Sequence, residues 1–135
     1  MSDENRALVE RFYAEVISGG NVDALDELMA PDFVEHGAPA GLPAGREGFK
    51  EFVRVLRTGF PDFRWSVDDW IVAGDKVVAR GGGKGTHLGD FLGASPTGRP
   101  ASWTAIHIFR VQGGRLTERW SEVDVGGLLE RLREP

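Results

Sequence analysis

The chain has 135 residues, 41% of them hydrophobic and 27% charged, with a formal net charge of −5. That is one globular domain, residues 1–135, able to bury about two-thirds of its surface, and not a disordered composition. The acidic balance (16 Lys and Arg against 21 Asp and Glu) has no basic run to bind nucleic acid, and the absence of cysteine excludes disulfides and thiolate metal sites. No apolar run is long enough for a signal peptide or a membrane span, so a cytoplasmic protein without a membrane partner is expected.

"SDENRALVERFYAEVISGG" predicts an amphipathic helix, with Leu8, Phe12 and Val16 at four-residue spacing and Val9 and Tyr13 beside them. Ser2 or Asp3 can cap its start, and Gly19-Gly20 supply a stop. "NVDALDELM" predicts a short second helix, capped by Asn21 and closed by Pro31. "PDFVEHG" reads as a brief extended piece or turn. A Gly/Pro/Ala-rich loop over residues 37–45 leads to a third helix around "REGFKEFVRVLRTG", where Phe49, Phe52, Val53 and Leu56 form one apolar stripe.

After Pro61 the period becomes strand-like. "DFRWSVDDWIVAGDKVVARGG" predicts two strands joined at Ala73-Gly74-Asp75, and "ASWTAIHIFRV", "QGG" and "RLTERWSEVD" predict a second hairpin. "VGGLLERLREP" closes the chain as a helical turn or two. Helices followed by a meandering antiparallel sheet make an α+β architecture.

Seven of the twenty residues in "GGGKGTHLGDFLGASPTGRP" are glycine. No phosphate loop explains them. Walker spacing fails because Val78 stands where the first Gly is needed and Gly85 follows Lys84; the dinucleotide pattern fails at Thr86 and Leu88. One face of the strand from Lys76 carries Val77, Ala79, Gly81, Gly83 and Gly85. Such a row marks a bend or a close approach, leaving room on the bare face, or else an edge strand running into a loop.

The histidines, at 36, 87 and 107, fit no metal spacing, so no metal is expected. In the last hairpin, alternation puts Trp103, Ala105, His107, Phe109 and Val111 on one face. It puts Leu116, Glu118, Trp120, Glu122 and Asp124 on the facing side, if no bulge intervenes. A carboxylate and a histidine beside two indoles suit proton transfer on carbon, because an apolar wall raises a carboxyl's pKa into a base's range. Each residue also has a plainer reading. His107 can be a core histidine bonded to backbone, Asp124 the cap of the terminal helix, and the tryptophans core packing.

"GTHLGDFLGASPTGRP", then "IHIFRVQGGRLTERWSEVDVGGLLERL", preceded by "FYAEVISGGNVDALDELMAPDFVEHG" and "FPDFRWSVDDWIVAGDKVVAR", resemble the SnoaL-like polyketide cyclase and ester cyclase family. The resemblance covers nearly the whole chain; the tail "LLERLREP" departs from the family's frequent ending. It implies the cone-shaped α+β barrel of the nuclear-transport-factor-2-like superfamily, a curved sheet wrapped around helices with an apolar pocket. It also implies ring closure by intramolecular aldol condensation without metal or cofactor. The family's W-x-x-x-D pattern is "WSEVD" here, which gives Asp124 the acid/base role and Trp120 a place on the pocket wall. The pocket histidine maps onto His107, and His36 and His87 match recurrent positions.

The expected enzyme therefore binds a small hydrophobic or aromatic polyketide-like ligand, with Asp124 and His107 catalytic. Its wall is expected from Trp103, Trp120, His36 and His87, with Phe12, Tyr13, Phe33 and Phe52. The alternatives are a non-catalytic binding module, or another isomerase or dehydratase on the same scaffold. An epoxide hydrolase with an Asp-Arg-Asp set is disfavoured because the inward faces carry no arginine, unless Arg80 or Arg110 turns in through a one-residue slip. With His107 inward, Ile106 and Ile108 face outward. That apolar outer face and the resemblance both predict a homodimer.

Overall fold

Helix α1 (Ser2–Arg11) carries Asp3 and Glu4 in its first turn and Arg11 in its last, charges that suit the helix dipole at both ends. It runs on into a π-helical segment, Phe12–Ser18. The wider turn sends two adjacent pairs, Phe12–Tyr13 and Val16–Ile17, into the core. A regular helix would swing neighbours about 100° apart. Gly20, at φ +74°, then turns the chain away. The computed structural model describes residues 2–37 and 41–133, so the loop expected over 37–45 and the helix expected to reach residue 135 lie partly outside the described residues.

The second helix is shorter than its sequence suggests. A 3₁₀ turn at Val22–Ala24 leads into α2 (Leu25–Leu28), and Met29 is already extended. Asn21 makes no side-chain capping bond, and Pro31 lies inside strand β1 (Met29–Glu35) instead of closing the helix. Helix α3 (Gly45–Gly59) buries Phe49, Val53 and Leu56, with Phe52 packed partly buried against them.

Four long strands follow: β2 (Arg64–Ala73), β3 (Lys76–Thr86), β4 (Pro100–Gln112) and β5 (Arg115–Val123). Positive φ at Gly74, and at Gly113 and Gly114, makes the two hairpin turns. Helix α4 (Val125–Arg133) buries Leu128 and Leu132 in the core. The strand order is β1-β5-β4-β3-β2. All neighbours are antiparallel except β1, which adds itself parallel to β5. The result is the expected α+β fold, a curved five-stranded sheet around the helices. Among the described residues no helix is long and apolar enough to cross a membrane.

The glycine row of β3 has a steric cause. A Cβ on Gly81 would sit 2.0 Å from the Ser66 carbonyl oxygen, and one on Gly83 would sit 2.2 Å from the Phe63 ring. A Cβ on Gly85 would meet Phe60 at 3.0 Å. The bare face thus admits the loop aromatics Phe60 and Phe63 and strand β2, whose register shifts between Val67 and Asp69. At these three glycines the space a side chain would take is occupied by protein. Gly81→Ala has to displace backbone, and urea unfolding is expected to register a loss of about 1–3 kcal/mol. An unchanged midpoint would mean that the sheet yields there.

Candidate functional site

Strand β4 is built as its alternation predicts: Trp103, Ala105, His107, Phe109 and Val111 are all buried. Strand β5 is not. Arg110 pairs with Glu118 but Val111 pairs with Leu116, so Thr117 is an extra, bulged residue. Past it the two faces of β5 exchange. Arg119 turns inward and is 4% exposed, while Trp120 pairs with Ile108 on the outer side. Of the expected inward set, Glu118, Trp120 and Asp124 do not line the cavity, while Glu122, paired with Ile106, does contribute to its lining.

What does form is a polar cluster in an aromatic wall. A cavity of about 230 Å³ opens between the sheet, the π-helical segment, α3 and α4. Its walls include Tyr13, Phe52, Phe63, Trp65, Phe91 and Trp103, with His107, Glu35, Arg119 and Ser121 among them. Ser121 stands directly opposite His107 in the sheet, and Arg119 opposite Phe109. On the other side of β5, Glu35 of β1 is paired in register with Arg119.

The Glu35 carboxylate is held by three donors. Arg119 Nε donates to Oε2 at 2.5 Å, and Ser121 Oγ and the Gly37 amide donate to Oε1 at 3.1 and 3.0 Å. The guanidinium lies over the rings of Phe49, Phe109 and Phe12, at 5.0, 5.7 and 6.0 Å. Arg119 is buried, and the Glu35 side chain is 9% exposed. Such a pair persists because loss of either member would strand the other charge.

Beside it, the His107 ring lies between aromatics. Trp65 stacks on it at 4.9 Å and Tyr13 at 6.0 Å, and Phe109 meets it edge-on. Tyr13 Oη and His107 Nδ1 are 2.7 Å apart. Burial, reinforced by the Arg119 cation, holds His107 well below the usual imidazole range, so the ring is neutral. Burial also pushes the Tyr13 phenol well above its ordinary value, with Arg119 opposing. Trp65 Nε1 is a buried donor with no hydrogen-bond partner among the described residues.

Of the expected site residues, the structure thus brings together Tyr13, Phe52, Trp103 and His107. Phe12 and Phe33 are core residues, 0% and 1% exposed, and do not reach the cavity. His87 is fully buried but elsewhere: it stacks on Phe60, and its Nδ1 meets Thr97 Oγ1 at 3.1 Å. His36 lies on the outer side, stacked on Trp120 at 4.8 Å, with Nε2 2.8 Å from Glu118 Oε2. Trp120 is packed there too, with Arg110 and Lys76 over its ring.

Asp124 is exposed and sits at the start of α4, where its Oδ1 accepts the Gly127 amide at 3.0 Å. It borders an outer hollow with Arg80, Thr104 and Ile106, and is not among the residues lining the cavity. Its geometry is that of a helix cap. The pocket arginine missing from the sequence reading is Arg119. Arg80 and Arg110 stay outward, paired with Asp69 and with Glu118 and Asp75. Among the described residues no three His, Cys, Asp or Glu side chains converge as metal ligands.

Glu35, Arg119 and Ser121 are the residues sequence reasoning missed. Alternation from the buried Phe33 was the available signal for Glu35, since it sets positions 33 and 35 on one face. Arg119 and Ser121 had none, because nothing in "RLTERW" marks the bulge.

Comparison with known proteins accords with this architecture. A curated relative, nogalonic acid methyl ester cyclase of Streptomyces nogalater, is 28% identical over 122 residues, covering 86% of this chain and 88% of its own length. The structure of TsrD from Streptomyces laurentii superposes with a TM-score of 0.89 at 29% identity, covering 98% of this chain and 97% of that one. IdmH from Streptomyces antibioticus gives 0.81 at 33% identity, covering 95% and 97%. The family model for SnoaL-like polyketide cyclases matches residues 7–132, nearly the full length, and the chain belongs to that family.

Proposed function

We propose that this chain is a cofactor-free enzyme closing a ring by intramolecular aldol addition, with Glu35 as proton acceptor and His107 facing the developing oxygen. The observation that carries the proposal is the Glu35–Arg119 ion pair beside His107 in the wall of a largely apolar cavity. Glu35 takes a proton from an activated methylene, and the C–H electron pair moves into the enolate. The enolate oxygen meets the His107 ring and the positive field of Arg119. The enolate carbon attacks a carbonyl carbon of the same molecule, forming the C–C bond. The alkoxide so made takes the proton back from Glu35. Nothing is lost, so substrate and product are isomers.

The test is incubation with nogalonic acid methyl ester, the compound in the relative's name, followed by chromatography and mass spectrometry. Enzyme-dependent appearance of an isomer of unchanged mass is expected. Saturable quenching of tryptophan fluorescence with no conversion is what a non-catalytic binding module would give, and would end the enzyme reading.

The family resemblance assigns the base to Asp124, and the two candidates separate cleanly. Asn caps a helix nearly as well as Asp, so Asp124→Asn is expected to keep stability and to turn over within a few-fold of the parent. A loss of a hundredfold or more would move the base from Glu35 to Asp124. An Asp-Arg-Asp hydrolase is a weaker reading, because it needs two carboxylates on the arginine and Glu35 is the partner found on Arg119.

We also propose a homodimer through the outer face of the sheet. Ile71 and Ile106 are 61% and 46% exposed there, with Ile108 partly covered. Light scattering at micromolar concentration is expected to give twice the chain mass of 14.8 kDa. A monomer mass would refute it.

A further inference from the structure

We infer that Tyr13, presented by the π-helical turn, is a positioning residue that fixes His107 as the tautomer protonated on Nε2. The inference deepens the reading of His107 as the oxygen-facing group and rests on it for its functional meaning, though not for its test. Three observations carry it.

The first is the backbone. A π-helical turn is rare and gathers at functional sites. This one lets Tyr13 point inward next to Phe12, where it reaches a histidine 94 positions along the chain.

The second is the hydrogen-bond count. Tyr13 is 5% exposed, and its hydroxyl has His107 Nδ1 as its described partner, at 2.7 Å. If Nδ1–H donated to the phenol oxygen, the phenol proton would have no acceptor among the described residues, at the cost of an unmade bond. If the phenol donates, its proton is used and Nδ1 accepts. The neutral ring then carries its proton on Nε2, its remaining nitrogen.

The third is the packing. Tyr13, Trp65 and His107 lie within 20–27° of parallel, and Phe109 stands edge-on to both Tyr13 and His107. The ring has little freedom to turn over and exchange its nitrogens. An imidazole held this way offers an N–H donor with no proton to lose at neutral pH, which suits an enolate oxygen.

The experiment is a long-range ¹H–¹⁵N correlation spectrum of the ¹⁵N-labelled full chain near neutral pH. The His107 signals are assigned by their loss in His107→Gln. The expected spectrum has an unprotonated Nδ1, a protonated Nε2 and a slowly exchanging Tyr13 hydroxyl proton correlated with Nδ1. In Tyr13→Phe that hydroxyl signal is lost and the Nδ1 resonance shifts. A protonated Nδ1 or a doubly protonated ring in the parent protein overturns the inference whatever Tyr13→Phe shows. So does a Tyr13→Phe spectrum in which both His107 nitrogens stay where they were. The expected spectrum together with no conversion of nogalonic acid methyl ester supports the tautomer assignment and removes the enzyme reading, so the two fail separately.

Discussion

Glu35→Gln is expected to unfold at lower urea concentration, by about 3–5 kcal/mol, and to turn over at least about a hundredfold more slowly. Both losses come from one removed charge. In the parent, the carboxylate compensates a guanidinium that is 4% exposed and surrounded by Phe12, Phe49 and Phe109. Gln keeps the shape and the Ser121 contact but leaves Arg119 as a buried, unpaired cation. It also cannot accept a proton from carbon. A double variant, Glu35→Leu with Arg119→Met, separates the two consequences. Buried ion pairs exchanged for apolar residues of similar size are often neutral for stability. The double variant is therefore expected to regain most of the lost stability and none of the turnover. Glu35→Gln with kcat within a few-fold of the parent would falsify the proposed base.

The second large effect is at His107. His107→Phe removes the donor opposite the developing oxygen, and a lost oxyanion donor lowers kcat by about 10²–10³-fold. It also strips the Tyr13 hydroxyl of its partner, a cost of about 1–3 kcal/mol. The same substitution changes how stability responds to pH. His107 has a folded pKa depressed by burial and by Arg119. Below about pH 6.5 the unfolded chain takes up a proton on this ring that the folded chain resists. Its contribution is thus fully present above about 6.5 and is lost as the pH falls towards the folded value. Urea unfolding of the parent and of His107→Phe at a series of pH values below 7 is expected to show a smaller loss in the variant. Parallel curves would mean that His107 is already charged, or freely protonated, in the folded protein.

How much of this was legible in the sequence depends on which residue is asked about. The inward face of β4 was readable because thirteen residues alternate without interruption, so His107 and Trp103 fell where expected. The hairpins were readable from Gly74 and from Gly113-Gly114, whose positive φ no other residue adopts as easily. Trp120 and Asp124 were misplaced for a single reason. Thr117 adds one residue to β5, and a period of two turns one extra residue into a reversal of every side chain beyond it. The glycine row left a bend, a close approach or an edge strand running into a loop open, and the structure identifies what approaches: Phe60, Phe63 and the backbone of β2. Glu35 was hidden by distance. Its strand is seven residues long and its partner lies 84 positions away, a parallel pairing that no local pattern announces.

That same separation governs when the site comes into being during synthesis. Among the described residues strand β1 pairs with β5 and with no other strand, so its ladder cannot form until β5 is present. The ribosome releases Glu35 long before Arg119, and loop closure over such a span precedes any gain from the contacts it permits. Helices α1 to α3 and the β2–β3 hairpin can assemble on a growing chain while β1 still lacks its neighbour. The charged half of the cavity therefore waits for β5, and only α4 is added after it. A chain truncated between β4 and β5 carries the aromatic residues of β2 and β4 and the histidine but has no Glu35–Arg119 pair.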